Sequence, residues 1–173
     1  MIGAADLDRQ QHALHAELGD NKLYERLIDN GDTDAAFAAA HTIVEGRFVF
    51  GRHTGVTLEA RALVAAYDPA DRKLTLDYGG QAPHMTQVLF ARHLGLAERQ
   101  VRVIAHDVGG SFGIKSHVYG DELAVAALSM MLGRPVRFWA DRLESFVSDI
   151  HARDHVVEAR MALDAQGRIL GLD

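Results

Sequence analysis

The sequence has 173 residues, of which 48% are hydrophobic and 24% are charged, proportions typical of a soluble globular protein with one core. Its net charge of -6 at pH 7 argues against general nucleic-acid binding, which needs a clustered basic face. The absence of cysteine excludes disulfides, thiolate metal sites, iron–sulfur clusters and a cysteine nucleophile in this chain. Neither a signal-peptide core nor an apolar run of about 20 residues is present, so we expect a cytoplasmic chain without a membrane span.

Hydrophobic periodicity predicts strands and helices along most of the chain. Between Thr42 and Phe50 the side chains alternate as in a strand. Residues 84–94 have helical spacing, and Gly95 is placed to end that helix. In chain order the predicted elements are a helix over 33–40, strands over 42–50, 62–67 and 73–78, a helix over 84–94, a strand of parallel-sheet type over 101–105, a helix over 122–132, and strands over 136–140, 155–163 and 168–172.

The predicted domain organisation is an amino-terminal arm or linker over residues 1–41 and a domain over residues 42–173. The first forty residues are rich in charge and alanine and contain one short predicted helix. At the other end, the last predicted strand has barely begun where the chain stops at Asp173, and an open sheet edge favours aggregation. We therefore expect this domain to be a truncated one, or one that a partner completes.

A glycine-rich loop at residues 107–115 follows the strand over 101–105. Glycine loses more entropy on folding than other residues, so three glycines in five positions indicate a tight turn or a close approach to a ligand. The loop is not a phosphate-binding P-loop, because Ile114 rather than glycine precedes Lys115. Its glycine spacing also differs from the dinucleotide motif G-x-G-x-x-G. Spacing alone leaves ligand binding and a purely structural turn equally open.

The histidines and acidic residues do not define a metal or catalytic site. His151 and His155 have the i, i+4 spacing of two metal ligands on a helix, but the glutamate of an H-E-x-x-H motif is absent. The segment also enters a predicted strand, which destroys helical spacing, so we interpret both as surface or hydrogen-bonding side chains. Glu122 opens an apolar helix, and we interpret it as a charge favourable to the helix amino terminus rather than as a catalytic base.

Two motifs and several shorter segments carry a resemblance to a known family. Residues 79–84 read Gly-Gly-Gln-Ala-Pro-His, and residues 107–115 read Asp-Val-Gly-Gly-Ser-Phe-Gly-Ile-Lys. They resemble the Q-x-P-H and D-V-G-G-x-F-G-x-K motifs of the large, molybdenum-cofactor-binding subunit of the xanthine dehydrogenase/aldehyde oxidase/carbon monoxide dehydrogenase family. Two departures are Ala60, where the family often has proline, and Ser111, where it often has glycine or alanine. The resemblance covers about residues 19–173, with further similar segments in the same order at 93–103, 133–136, 141–144 and 151–153.

The resemblance implies an α+β fold, a mixed sheet with packed helices, that is part of the molybdenum cofactor-binding domain. It implies a molybdenum hydroxylase, an oxidoreductase that acts on a C–H or C–O centre with water as the oxygen source. In the family, the glutamine at the Gln81 position hydrogen-bonds a molybdenum oxo group, and the loop backbone approaches the oxo and pterin atoms. The residues thus implied to bind the cofactor are Gln81, Gly109, Gly110, Ser111, Phe112 and Gly113.

The implied cofactor is molybdenum-molybdopterin in its cytosine dinucleotide form, which the isolated chain need not hold by itself. The implied partners are the remaining part of the large subunit, iron–sulfur and flavin subunits or domains, and a small-molecule substrate. Carbon monoxide, an aldehyde, a purine and another heterocycle all stay open as the substrate. The stretch at residues 51–55 favours the carbon monoxide dehydrogenase-like bacterial branch.

The resemblance also implies that the active-site glutamate and the substrate-selecting loop lie farther along the subunit than residue 173. We therefore assign no catalytic residue here and expect no turnover by this chain alone. The alternative hypothesis is a non-catalytic remnant, or a subunit-interaction module without bound cofactor. Nucleotide binding by the glycine loop is the least favoured hypothesis, since its spacing fails both nucleotide motifs.

Overall fold

A computed structural model describes residues 13–173, so residues 1–12 of the predicted amino-terminal arm lie outside the described residues. The chain divides into two compact units. The larger unit is residues 54–151, and the smaller one combines residues 13–53 with residues 152–173. The predicted domain boundary after residue 41 falls inside the smaller unit and stays a prediction.

The larger unit contains a four-stranded mixed sheet with the strand order β4-β3-β2-β5. β2 pairs antiparallel with β3 and with β5, whereas β3 and β4 are parallel. Alternate apolar residues of the two central strands, such as Leu63 and Leu76, are about 1% exposed or less because they pack against helices. The strands are β2 (Ala62–Asp68), β3 (Lys73–Tyr78), β4 (Val101–Ile104) and β5 (Val136–Trp139).

Three helices complete the larger unit: α2 (Pro83–Leu94), α3 (Gly120–Leu132) and α4 (Arg142–Ser148). α2 connects β3 to β4, because parallel neighbours need a crossover connection. α2 ends at Gly95 and α3 at Gly133, both in the left-handed conformation that glycine adopts most easily. One face of each of these two helices joins the core of the sheet through Phe90, Ala91, Val125 and Ala126.

The smaller unit is an antiparallel sheet in the order β1-β6-β7 with one short helix, α1. β1 pairs with β6 along its whole length, and β7 continues the sheet beside β6. The Arg160 guanidinium lies 4.7 Å from the centre of the Phe37 ring, a cation–π contact between the sheet and α1. The elements are α1 (Thr33–Ala38), β1 (Thr42–Phe50), β6 (His155–Leu163) and β7 (Ile169–Leu172).

The predicted α+β fold with a mixed sheet and packed helices is confirmed, and every predicted helix and strand is present with ends that differ by no more than two residues. Within residues 13–173 the structure adds three short 3-10 helices and one α-helix, α4, that periodicity missed. In α4 the apolar residues Leu143, Phe146 and Val147 have helical spacing, but the helix has only 7 residues, which is shorter than the window that periodicity needs. The signal available was Asp141, which caps the helix by accepting from the Glu144 amide at 2.8 Å. No helix within residues 13–173 is long and apolar enough to cross a membrane.

Candidate functional site

The glycine-rich loop and Gln81 lie together because they follow neighbouring parallel strands. Gln81 comes just after β3, and the loop comes just after β4. Adjacent parallel strands end at the same edge of a sheet, which is where open α/β sheets usually bind ligands. The β3-α2-β4 crossover therefore brings Gln81 against Ser111, although the two residues are 30 positions apart in sequence.

The loop holds the Gln81 carboxamide by its oxygen. Gln81 Oε1 accepts hydrogen bonds from the Ser111 hydroxyl and from the Gly113 amide, the latter at 3.3 Å. The backbone N–H of Gln81 donates to the Lys115 carbonyl oxygen at 3.2 Å. Because the Gly113 N–H can only donate, it determines which end of the carboxamide faces the loop. The Nε2 group has no hydrogen-bond partner within residues 13–173, so its two N–H donors remain available to a ligand.

Three residues of the loop have positive φ: Gly110 at +97°, Phe112 at +49° and Gly113 at +96°. Glycine adopts a positive φ at little cost in conformational energy, whereas a residue with a side chain is strained there by about 1–3 kcal/mol. Phe112 adopts it while its side chain is 78% exposed, so packing of the ring within the loop does not offset the strain. Strained residues of this kind cluster at ligand sites and at switch regions.

Some backbone amides of the loop are satisfied internally and others are not. The Gly110 backbone amide donates a hydrogen bond to the Val108 carbonyl oxygen at 2.9 Å. The amides of Ser111 and Phe112 have no acceptor in the part of the chain that the structure describes. Successive N–H groups in such a turn form a concave site for anions. Gln81 Nε2 is a further neutral donor beside the loop, and neutral donors of these kinds suit oxo, phosphate or carboxylate oxygens.

Glu59 joins the two ends of the loop. Its Oε2 accepts from the Gly109 amide at 2.7 Å and from Lys115 Nζ at 2.7 Å. The hydrogen bond from Lys115, followed by that from the Gly109 amide, holds the pKa of Glu59 below its ordinary value. A Cβ at Gly109 would lie only 2.6 Å from Glu59 Cβ. Glycine at this position is thus required by the approach of Glu59.

A second charged cluster in the same unit is centred on Arg61. Its guanidinium binds Asp121 with two hydrogen bonds, at 2.9 and 2.8 Å, and also binds Glu122 at 3.1 Å and Asp149 at 2.6 Å. The Arg61 side chain is 1% exposed, and its guanidinium lies 3.8 Å from the centre of the Tyr119 ring. Burial lowers the pKa of Arg61, but the hydrogen bonds to Asp121 and Asp149 outweigh burial and raise it above its ordinary value. The cluster carries three acids for one buried cation.

Two tyrosines connect this cluster to the candidate site. The Tyr119 hydroxyl donates to the Ile114 carbonyl oxygen, at the end of the loop, over 2.7 Å. The Tyr78 hydroxyl donates to Glu122 Oε2 at 3.2 Å, and burial raises the pKa of both groups. A Cβ at Gly80, the residue before Gln81, would collide with the Tyr78 ring. The backbone at the site therefore packs directly on Tyr78, which is hydrogen-bonded to Glu122 of the Arg61 cluster.

The residues predicted from the sequence to bind the cofactor lie close together in the structure. The structure brings Gln81, Ser111 and Gly113 into one hydrogen-bonded group and places the other predicted cofactor residues in the same loop. Glu122 lies in the first turn of α3 and accepts from the Tyr119 amide at 3.2 Å, as predicted for a charge at a helix amino terminus. Its burial against Arg61 was not predicted.

The contacts of Glu59 with the loop and of Arg61 with three acids were not predicted from the sequence. The signal was a pair of charges two positions apart, immediately before the apolar strand β2. His155 is the first residue of β6, so the strand predicted at this position is confirmed. His151 and His155 therefore do not lie on one face of a helix. Residues 13–173 contain no group of three or more His, Cys, Asp or Glu side chains arranged to hold a metal ion.

Known proteins resemble this chain over most of its length. A family model described as the molybdopterin cofactor-binding domain matches residues 14–173. Over 142 residues the chain is 39% identical to the gamma subunit of the 6-hydroxypseudooxynicotine dehydrogenase complex of Paenarthrobacter nicotinovorans, which covers 82% of this chain and 18% of that protein. Over 144 residues it is 35% identical to the carbon monoxide dehydrogenase large chain of Hydrogenophaga pseudoflava, which covers 83% of this chain and 18% of that protein.

A solved structure agrees with these matches. Quinoline 2-oxidoreductase from Pseudomonas putida 86 aligns with a TM-score of 0.89 and 32% identity, over 99% of this chain and 22% of that chain. This chain therefore spans about a fifth of the length of the proteins it matches. The chain belongs to the molybdopterin cofactor-binding domain family, and its relatives include a carbon monoxide dehydrogenase large chain, a probable xanthine dehydrogenase subunit and an aldehyde oxidase.

Proposed function

We propose that this chain contributes part of the cofactor pocket in the large subunit of a molybdenum hydroxylase. The observation that carries the proposal is the Gln81 carboxamide, whose oxygen is bound by the loop while its Nε2 remains a free donor. The residues proposed to hold molybdenum-molybdopterin are Gln81, Gly109, Gly110, Ser111, Phe112 and Gly113.

The donor set fits such a cofactor. Gln81 Nε2 and the backbone amides of Ser111 and Phe112 are neutral donors without partners in residues 13–173, and molybdenum oxo groups and pterins are rich in acceptors. A preorganised neutral donor stabilises an electron-rich oxygen without adding a charge to the site. A Cβ at Gly113 would meet no atom within 4 Å, so open space is present beside the backbone there.

The chain's own residues would bind and orient the cofactor rather than move protons. A bound molybdenum centre supplies the oxidation or hydroxylation of carbon, with water as the oxygen source. Gln81 would donate to an oxo oxygen, and the exposed Phe112 ring would cover the site and exclude water. The Glu59–Lys115 ion pair would keep the loop in place, since Lys115 is buried and held at 2.7 Å. We assign no catalytic base to this chain.

The finer features of the enzyme are also proposals. We propose the cytosine dinucleotide form of the cofactor, a cytoplasmic location, and iron–sulfur and flavin partners beside the remaining part of the large subunit. The names of the relatives support an assembly, since they are a complex subunit and a large chain. Those relatives are named for carbon monoxide, a nicotine derivative and quinoline, which supports a small-molecule substrate.

The test is to produce the chain together with the remaining part of the large subunit and the partner subunits in a host that makes molybdenum cofactor. Molybdenum is then measured by elemental mass spectrometry and the pterin by the fluorescence of the released compound. We expect about one molybdenum and one pterin per chain. Gln81→Ala should keep the fold and lower kcat about 10- to 150-fold, the equivalent of a lost hydrogen bond to a charged group.

The matched control is Gln166→Ala, in the exposed turn between β6 and β7, which should leave kcat unchanged. Absence of metal and pterin from the assembled protein would contradict the proposal and support the non-catalytic alternative. Unchanged turnover in both Gln81→Ala and Gly113→Val would show that the pocket residues are wrong.

A further inference from the structure

We infer that the Ser111 hydroxyl is a positioning group, which fixes the Gln81 carboxamide with its oxygen towards the glycine loop and its Nε2 donors away from it. The consequence for turnover rests on the proposed function. The hydrogen-bond geometry itself does not, because it is a property of the protein without any ligand.

The first step concerns what holds Gln81 in place. Gln81 is exposed, so its side chain gains little from packing and loses rotamer freedom when it is ordered. The Gly113 amide alone supplies one long hydrogen bond, at 3.3 Å. A single bond of this length contributes less than the ordering of a glutamine side chain costs. The bond from the Ser111 hydroxyl to the same Oε1 supplies the remaining restraint.

The second step concerns polarity. A hydroxyl can donate or accept, so Ser111 by itself would tolerate either end of the carboxamide. The Gly113 N–H can only donate, and it would oppose Nε2 if the carboxamide turned over. The two groups therefore act together: Gly113 selects the oxygen, and Ser111 strengthens the selected state. Ser111 and Gly113 thus determine that Nε2, and not Oε1, is the end of the Gln81 carboxamide that is open to a ligand. Their side chains need not contact that ligand.

The third step concerns the rigidity of the Ser111 side chain itself. Ser111 lies between Gly110 and Phe112, and the Ser111 carbonyl oxygen accepts from the Ile114 amide at 3.0 Å. That bond closes the turn that contains Gly113. The hydroxyl is therefore attached to a closed turn, which places both donors to Oε1 on the same rigid segment.

The experiment is a double-mutant cycle between Ser111 and Gln81 in the assembled protein, with two readouts. The first is kcat together with KM in the molybdenum-loaded enzyme. We expect Ser111→Ala to lower kcat about 3- to 10-fold with KM unchanged, as for one lost neutral hydrogen bond. Ser111→Thr, which keeps the hydroxyl, should recover kcat to within about twofold. In a Gln81→Ala background, Ser111→Ala should have no further effect, because the group it positions is absent.

The second readout is the unfolding equilibrium of the same four proteins, followed by urea denaturation. We expect the two substitutions to be coupled by about 2- to 10-fold in the unfolding constant. The matched control is Ser116→Ala, a serine of the same segment whose hydroxyl makes no hydrogen bond within residues 13–173, and it should show no coupling to Gln81.

Equal losses of kcat from Ser111→Ala in both backgrounds, or no coupling in the unfolding constants, would overturn the inference. The two hypotheses fail differently. A protein that holds no molybdenum but retains the coupling would contradict the proposed function and support the Ser111–Gln81 bond. A molybdenum-loaded enzyme whose turnover is sensitive to Gln81→Ala but not to Ser111→Ala would support the proposed function and contradict the role inferred for Ser111.

Discussion

Lys115 Nζ lies 2.7 Å from Glu59 Oε2, the same oxygen that accepts from the Gly109 amide at the other end of the loop. The Lys115 side chain is 1% exposed and that of Glu59 is 43% exposed, so a partly exposed acid neutralises a buried cation. An ammonium group in a buried position is unfavourable unless it is paired. The conformation of the loop therefore depends on a carboxylate that lies outside the loop.

Glu59→Gln should lower the free energy of unfolding by about 1–3 kcal/mol. Loss of one partner from a fully buried pair costs about 3–5 kcal/mol, and the partial exposure of Glu59 reduces that figure. Urea denaturation with matched slopes measures the change. The control is Glu98→Gln, an exposed glutamate of the same unit, which should change stability by no more than about 0.5 kcal/mol. Equal effects from the two substitutions would show that the Glu59–Lys115 pair contributes nothing.

The stability contributed by Glu59 should depend on pH. Its pKa in the folded protein lies below the ordinary value of 4.5, because Lys115 and the Gly109 amide stabilise the carboxylate. A lowered pKa gives stability that is present above the unfolded value and is lost as the pH falls through the folded value. The difference between the wild type and Glu59→Gln should therefore shrink as the pH is lowered from about 6 to about 3. Denaturation midpoints measured across this range would show a constant difference if the ion pair were not its source.

Arg61→Met should be among the most destabilising substitutions, with a loss of about 3–5 kcal/mol. It leaves Asp121, Glu122 and Asp149 without their cation, and the last two are 1% and 4% exposed. Arg61→Lys should also destabilise, because an ammonium cannot reproduce the two-pronged bond to Asp121. Arg137→Met, at an exposed arginine on β5, is the control and should be nearly neutral.

The loss of stability that Arg61→Met causes should become larger as the pH rises. Without the guanidinium, buried carboxyl groups have folded pKa values above their unfolded ones. Such groups favour the folded state while they are protonated and lose that stability as the pH rises through the folded value. Thermal midpoints at about pH 5 and about pH 8 check the sign, and a deficit that is larger at the lower pH would refute this account.

Gly80→Ala should cost about 2 kcal/mol or more, because the added Cβ collides with the Tyr78 ring and Tyr78 is only 3% exposed. Gly120→Ala, at the start of α3, is the matched control. A Cβ there meets no atom within 4 Å, so the replacement should stabilise the protein by up to about 1 kcal/mol. Differential scanning calorimetry of both variants measures the contrast, and a neutral Gly80→Ala would mean that the Tyr78 ring is free to move away.

Much of the fold could be predicted because its elements are marked by local signals. The period-two run of β1 and the glycines after α2 and α3 are readable from short windows of sequence. The meeting of Gln81 with the loop follows from the parallel strands on either side of α2. The Arg61 cluster could not be predicted in this way. Arg61 and Asp149 are 88 positions apart, and no periodicity marks the approach of one buried arginine to three acids.

The contact between Gly80 and Tyr78 links the Arg61 cluster to the chain just before Gln81. A movement of the Tyr78 ring that follows a change at Glu122 would alter the packing of the chain just before Gln81. We therefore expect substitutions around the Tyr78 ring to affect both the stability of the protein and the orientation of the Gln81 carboxamide. Stabilising substitutions are best sought elsewhere in the chain, at positions that do not pack against the Tyr78 ring.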